Sequence, residues 1–242
     1  MTSDLHIVTA DQQDPRLGRH VVHDRRSRNY AYPMLAIPDK PKKARRHKVY
    51  SPRPLPRQMI GCCTGVDQAV KCDAAENRIK GVVLGLADAV QAYALATTLD
   101  DDGQQYPPDD GGSSALYACK AARQLAWIDR YEWIFSRAQG VLAAVVGAPG
   151  KPGRCVGVGT WWYSDMFHPD PKTLLVNVTG PKVGGHQWTV TGWEPRYDAF
   201  EGLCWWGPGF GQNGRFRIRY QDLDNLLADD GDAHVTYRRV TL

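Results

Sequence analysis

The chain changes pattern near residue 60. Up to Gln58 neither a helical nor a strand period is sustained, and prolines recur at 15, 33, 38, 41, 52, 54 and 56, each fixing its own φ and removing a backbone donor. This predicts an extended arm over residues 1–57, draped more than folded. Beyond Gly61 the run GCCTGVDQAVKC sets Cys63, Val66, Ala69 and Val70 at helical spacing, so a helix starts near Cys63. LADAVQAYALATTL (86–99) is a second amphipathic helix, stopped by DDDGQQYPPDDGG. Ser113 or Ser114 can cap a third reaching to about Trp127, and a fourth is expected over 136–146. After Gly147 the period shortens to that of strands in CVGVGTWW, TLLVNVT, HQWTVTGW, AFEGLCWW, RFRIRY and HVTYRRVT, with one helical interruption at 221–228. Helices first and strands second predict an α+β fold of two lobes, helical over about 58–147 and β over about 148–242.

Composition adds little to that outline, but charge does. With 43% hydrophobic residues the chain can bury a sizeable core. Its apolar runs, such as Val141 to Val146, fall far short of the roughly 20 residues that a bilayer crossing needs. The start MTSDLHIVTADQQD has no secretory apolar region, so a soluble chain with no signal peptide and no membrane contact is expected. Residues 1–57 carry thirteen Lys and Arg against five acids, a net +8, whereas the rest carry seventeen against twenty-one, a net −4. Such an arm is drawn to its own body, to a partner or to nucleic acid. KKARRHK (42–48) is the densest basic cluster, but without interleaved aromatics it signals nucleic acid only weakly.

Candidate chemistry starts from the cysteines. None of the six, at 62, 63, 72, 119, 155 and 204, lies in a C-x-x-C pair, so free thiols are favoured and neither metal nor cofactor is expected. A nucleophilic cysteine acts as its thiolate, which a helix N-terminus stabilises through unpaired N–H groups, and Cys63 sits where a helix should begin. His186 follows Gly184-Gly185 at the opening of a predicted strand, an uncrowded place for a base. No G-x-S-x-G elbow is present, and GAPGKPGR lacks the ending that a phosphate loop requires.

Taken in order, these segments resemble those of papain-like cysteine peptidases. RQMIGCCTGVDQAV is similar to the nucleophile segment Q-G-x-x-G-S-C-[WT]-[GA], with Gly61, Cys62 and Cys63 on G-S-C. GGHQWTVTGWEP resembles the histidine segment, and CWWGPGFGQNGRFRI resembles N-S-W-G-x-x-W-G-x-x-G-Y-F-R-I, with Gly207, Gly211, Gly214, Phe216 and Ile218 in register. ALATTLDDDGQQYPPDDGGSS, VGVGTWWYSDMF and HDRRSRNYAYP resemble members encoded by actinobacteria and their bacteriophages. Over roughly residues 20–236 the resemblance implies a papain-like two-lobe fold, with Cys63 on a helical lobe, His186 on an antiparallel β-barrel-like lobe and a cleft between. The implied reaction is attack of a Cys63 thiolate, paired with the His186 imidazolium, on a carbonyl of a peptide or protein substrate. The implied setting is a bacterial cytoplasm or a phage particle.

Two positions depart from the family. Cys204 stands where an asparagine should hold the histidine ring, followed by Trp205 in place of serine. Arg57 occupies the place of the oxyanion-binding glutamine, and Gln58 lies one residue closer to Cys63. Two readings follow. One is a working peptidase with a rearranged site, using Gln58 or Arg57 as oxyanion donor. The other is a catalytically weakened or inactive papain-fold protein with a structural or binding role, such as a virion component that meets other virion proteins through its basic arm. The arm suits a propeptide covering the cleft as well as it suits passive packing.

Overall fold

The structure, a computed structural model, describes residues 14–33, 39–100, 103–148 and 150–238 together with the backbone of 6–8. In chain order the elements are β1 (His6–Val8), β2 (Val21–His23), a 3-10 turn (Arg25–Tyr30), β3 (Arg45–Arg46), α1 (Cys63–Cys72), α2 (Leu86–Leu99), α3 (Ala115–Gln124), β4 (Arg130–Trp133) and α4 (Arg137–Val146). They continue with β5 (Gly147–Ala148), β6 (Lys151–Pro152), β7 (Val156–Tyr163), β8 (Lys182–Glu194), β9 (Ala199–Leu203), β10 (Arg215–Arg219), α5 (Tyr220–Ala228) and β11 (Asp232–Tyr237).

The helices begin and end for local reasons. Asp88 reaches back to accept the Gly85 N–H at 2.6 Å, fixing the first turn of α2. Ser114 caps α3 by accepting from the Tyr117 N–H. α4 stops at Gly147, whose φ of 77° is one that glycine adopts freely. All ten residues of α1 are buried, because α2 and α3 cover one side of it and β8 another. Gly65 permits the α1–α2 contact: a Cβ there would lie 2.1 Å from the Ala89 carbonyl oxygen.

The main sheet runs β10-β9-β8-β7-β11-β4, with β3 also paired to β8, and every pairing between these strands is antiparallel. Trp162, Trp188, Trp193, Phe200 and Phe216 fill the core between this sheet, α4 and α5. A second core joins α1 and α2, with Trp205 inserted from the segment after β9. The α+β architecture is therefore present, but the sheet stays open and is not closed into a barrel.

Two expectations need correction. TLLVNVT (173–179) is not a strand: the Asp170 carboxylate accepts from the Lys172 and Thr173 N–H groups, Leu174 adopts a φ of 63°, and only Leu175 bridges β10, at Arg217. A turn has interrupted the β-branched run. RYEW (130–133), in the helical half, forms β4 and completes the edge of the sheet against β11. All six cysteines are unpaired and buried. No helix among the described residues is long and apolar enough to cross a membrane.

The basic arm lies on the acidic body. Arg46 holds Glu201, which Arg217 also pairs, and Lys40 meets Asp198 at 2.7 Å. The Arg19 guanidinium, fully enclosed, pairs with Asp232 at 2.6 Å and donates to the Asp230 carbonyl. Of the three destinations open to such an arm, its own domain accounts for these side chains.

Candidate active site

The turn before α1 is built to present Cys63. Asp110 accepts the Gly61 N–H at 2.9 Å and the Tyr93 hydroxyl at 2.8 Å, fixing the chain just before the helix. Cys62 supplies no side-chain cap, so the first N–H groups of α1 stay available to an anion. The Cys63 sulfur points toward β8, where the Gln187 N–H is directed at it. Burial pushes the thiol up to about 12, against the Gln187 N–H and the Arg19 charge, so the sulfur is protonated in this state.

His186 is the residue just before Gln187 on the same strand, paired with Thr160 of β7. Strand alternation puts its ring, like that of Trp188, among the aromatics, while Thr189 on the opposite face reaches α1 through Asp67. The ring centroid lies 4.4 Å from Trp206 and 5.1 Å from Trp162. Among the described residues no side chain, that of Cys63 included, hydrogen-bonds either ring nitrogen. Burial and the Arg16 charge lower its pKa to about 3, so it is neutral here. The expected thiolate–imidazolium pair is thus absent from this closed arrangement, although α1 and β8 bring both residues to one locus.

The departures from the family pattern take definite positions. Cys204 turns its sulfur to the Gly214 carbonyl at 3.9 Å and not to the His186 ring. It therefore makes no hydrogen bond to the ring, which packs instead against Trp162 edge-on and against the tilted Trp206. Trp205 goes into the core of the helical lobe, whereas Trp206 covers His186. Arg57 bridges Trp206 through its backbone and lays its exposed side chain along Gly207. Gln58 is fully buried, and its amide donates to the Arg16 carbonyl at 3.0 Å and the Ile60 carbonyl at 2.8 Å. Of the two oxyanion candidates, Gln58 faces the locus.

What encloses the locus is the arm. The Gly18 and Arg19 N–H groups both donate to the Gly185 carbonyl at 3.1 Å, while the Gly18 carbonyl accepts from Ser113 and the His20 N–H donates to the Ser113 carbonyl, each at 2.8 Å. Residues 16–20 thus bond both lobes at once. The fit is close enough that a Cβ at Gly18 would lie 2.1 Å from the Gly61 oxygen, and one at Gly185 would lie 2.2 Å from the Arg19 oxygen. Leu17 packs over Gly184, and the Arg16 guanidinium, paired with Asp14, lies 4.3 Å from the Phe167 ring and 4.8 Å from Trp206. Cys63 and His186 have no exposed surface as a result. Two open surface grooves lie elsewhere, one beside Val49, Pro54 and Gln212, the other beside His23, Phe135 and Leu227.

Sequence reasoning missed a buried polar cluster directly behind Cys63. Asp67, one turn along α1, pairs with Lys71 at 2.8 Å, approaches His234 of β11 at 3.4 Å and accepts the Thr189 hydroxyl at 2.6 Å. The cations outweigh burial and hold the Asp67 carboxyl below its ordinary range. The available signal was an Asp and a Lys four apart on a helix whose every face is covered. This cluster ties α1 to β8 and β11, and so sets where Cys63 stands relative to His186.

No protein-family model matches the chain, and no curated protein matches it in sequence. Solved structures do resemble it. Xylellain, a cysteine protease from Xylella fastidiosa, superposes with a TM-score of 0.71 at 13% identity, over 96% of this chain and 99% of its own. Digestive procathepsin L 3 of Tenebrio molitor larval midgut gives 0.57 at 14% identity, over 92% and 76%. Procathepsin B S9 from Trypanosoma congolense gives 0.53 at 12% identity, over 96% and 86%. The chain has the fold of the papain-like cysteine proteases.

Proposed function

We propose that the protein is a cysteine peptidase in a closed form, whose own N-terminal segment fills the substrate cleft. The observation that carries this reading is the meeting of Cys63, at the start of α1, with β8 at His186–Gln187, under a strip of extended backbone bonded to both lobes. In such a cleft an extended peptide binds by main-chain hydrogen bonds, as residues 16–20 do here. The Arg16 carbonyl takes the Gln58 donor, which supports Gln58 as the group that would meet the oxyanion of a bound substrate. With the arm withdrawn, water reaches both groups, the burial that keeps them neutral is lifted, and the helix N-terminus favours the thiolate while His186 accepts the proton. The thiolate then attacks the carbonyl carbon, the acyl-enzyme forms as His186 protonates the leaving amine, and water releases the acid. Two of the similar structures are, by name, pro-forms, in keeping with a closed precursor.

One feature favours the second reading, a binding protein on a peptidase fold: no side chain hydrogen-bonds the His186 ring. Labelling by a thiol-directed, peptidase-selective epoxide separates the two. Gly18→Ala dislodges the arm through the clash with Gly61, and in that background Cys63 should be labelled. Cys63→Ala abolishes labelling, and His186→Ala slows it by about a hundredfold or more, the usual worth of a positioned acid–base group. Labelling indifferent to His186 would leave a binding role as the better reading. On a peptide substrate, Gln58→Ala in the same background should lower kcat by about a hundred- to a thousandfold, whereas Arg57→Ala should change it little.

A further inference from the structure

We infer a transition-metal site, remote from the cleft, formed by His47, Glu76 and Cys155. These residues come from three separate stretches: His47 follows β3 in the arm, Glu76 lies in the turn after α1, and Cys155 opens into β7. One ligand atom from each, a His47 ring nitrogen, a Glu76 carboxylate oxygen and the Cys155 sulfur, lies within 4.8 Å of the other two.

Each ligand is already oriented. The His47 backbone N–H donates to the Thr191 carbonyl at 2.8 Å, and its ring Nε2 lies 2.9 Å from the Val145 carbonyl oxygen. A carbonyl only accepts, so Nε2 carries the hydrogen, and a neutral ring then presents the Nδ1 lone pair to the cluster. That Nε2–carbonyl bond is the outer support that ligating histidines generally have. The Glu76 Oε1 accepts the Cys155 N–H at 2.5 Å, which leaves Oε2, with no hydrogen-bond partner, 3.6 Å from His47 Nδ1. The Glu76 side chain is 7% exposed and Cys155 is 3% exposed. A largely enclosed carboxylate set between an imidazole and a thiol gathers three donors that a cation can hold together once the ring and the thiol have given up their protons.

The donor set names the class of ion. Sulfur, imidazole and carboxylate together suit zinc, or cobalt in its place, and a thiolate disfavours magnesium and calcium. Zinc bonds of about 2.0–2.3 Å set tetrahedral ligands roughly 3.5 Å apart, close to the present His47–Glu76 separation. Thiolate and carboxylate neutralise a divalent ion, the Cys155 proton leaves to solvent, and water completes the shell from the side where His47 is 16% exposed. The ion would fasten the rear of the arm to the turn after α1 and to the start of β7. It touches neither Cys63 nor His186, so this site stands or falls apart from the peptidase reading.

The test is titration of the chelator-treated full-length chain with cobalt and zinc. We expect one equivalent bound per chain, a thiolate-to-cobalt charge-transfer band in the near ultraviolet, and a higher melting temperature with zinc. Cys155→Ser removes the charge-transfer band, and His47→Asn, at the partly exposed ligand, weakens zinc binding by about a hundredfold while near-ultraviolet circular dichroism reports an intact fold. Cys119→Ser, at another buried thiol, leaves binding unchanged. Failure of the unaltered chain to bind stoichiometrically, or a cobalt band that survives Cys155→Ser, overturns the site.

Discussion

Arg19→Ala, made in a Cys63→Ala chain to prevent self-cleavage, should raise amide exchange at Gly18, His20 and Ser113 by roughly a hundredfold. Those N–H groups bond across the arm–cleft contact, so their exchange counts how often the contact opens. Arg19 is fully enclosed and fixes the arm through Asp232 and the Asp230 carbonyl. Removing one partner of a buried pair leaves the other charge uncompensated; with Asp232 slightly open to water, the cost is set at about 3 kcal/mol, roughly a hundredfold in the open population. Amides in the centre of β8 should keep their protection, which separates arm release from general unfolding. Unchanged exchange at Gly18 and His20 would show that Arg19 does not fasten the arm.

Acid should open the same contact. His186 is neutral when covered, with a pKa lowered to about 3 by burial and the Arg16 charge. Once uncovered it returns to the ordinary range near 6.5. The open form therefore binds a proton that the closed form refuses: docking is strongest above the ordinary histidine range and weakens steadily as pH falls from there toward 3. Between pH 7 and pH 4.5 the open population should grow roughly 50- to 100-fold. Intrinsic-rate-corrected exchange at Gly18 and His20 across this range checks the slope, and His186→Ala should flatten it. A slope as steep in His186→Ala as in the unaltered chain would assign the acid response to another group.

Much of the fold could be read from the residues, for physical reasons that differ by element. α2 spans the predicted 86–99 because its repeat is long and an acidic, proline-containing loop stops it, and Ser114 and Ser136 stand at the predicted helix starts. β7, β8, β9 and β11 follow from β-branched and aromatic runs buried almost throughout, and β10 from the alternation of RFRIR, whose Phe216 and Ile218 are buried. β4 escaped notice because RYEW is short, charged and at the sheet edge, where composition signals little. TLLVNVT misled because strand propensity cannot foresee the Asp170 turn that breaks it.

At the site, Cys63 and His186 were legible from helix-start and glycine contexts together with the family resemblance. That Gln58 points into the enclosed locus while Arg57 stays exposed needed the third dimension, because a shift of one residue in a loop has no period to betray it. The occupation of the cleft was hidden for a deeper reason. The hydrogen bonds that join residues 18–20 to the two lobes come from backbone groups, which every sequence possesses, and the side chains that help, Arg16, Leu17 and Arg19, find their partners far away along the chain. The grouping of His47, Glu76 and Cys155 likewise spans more than a hundred residues, beyond the reach of any spacing rule.

Because β3 pairs with β8 and Arg46 is held by Glu201, the stretch before the first helix consists of two pieces that are held in different ways. Proteolytic trimming between the 3-10 turn and β3 would shed the front piece as a free peptide and vacate the cleft. The rear piece would stay behind as a permanent rib of the sheet, so the shortened molecule would carry its new amino terminus in mid-arm, beside Lys40, with most of the basic character of the full arm retained.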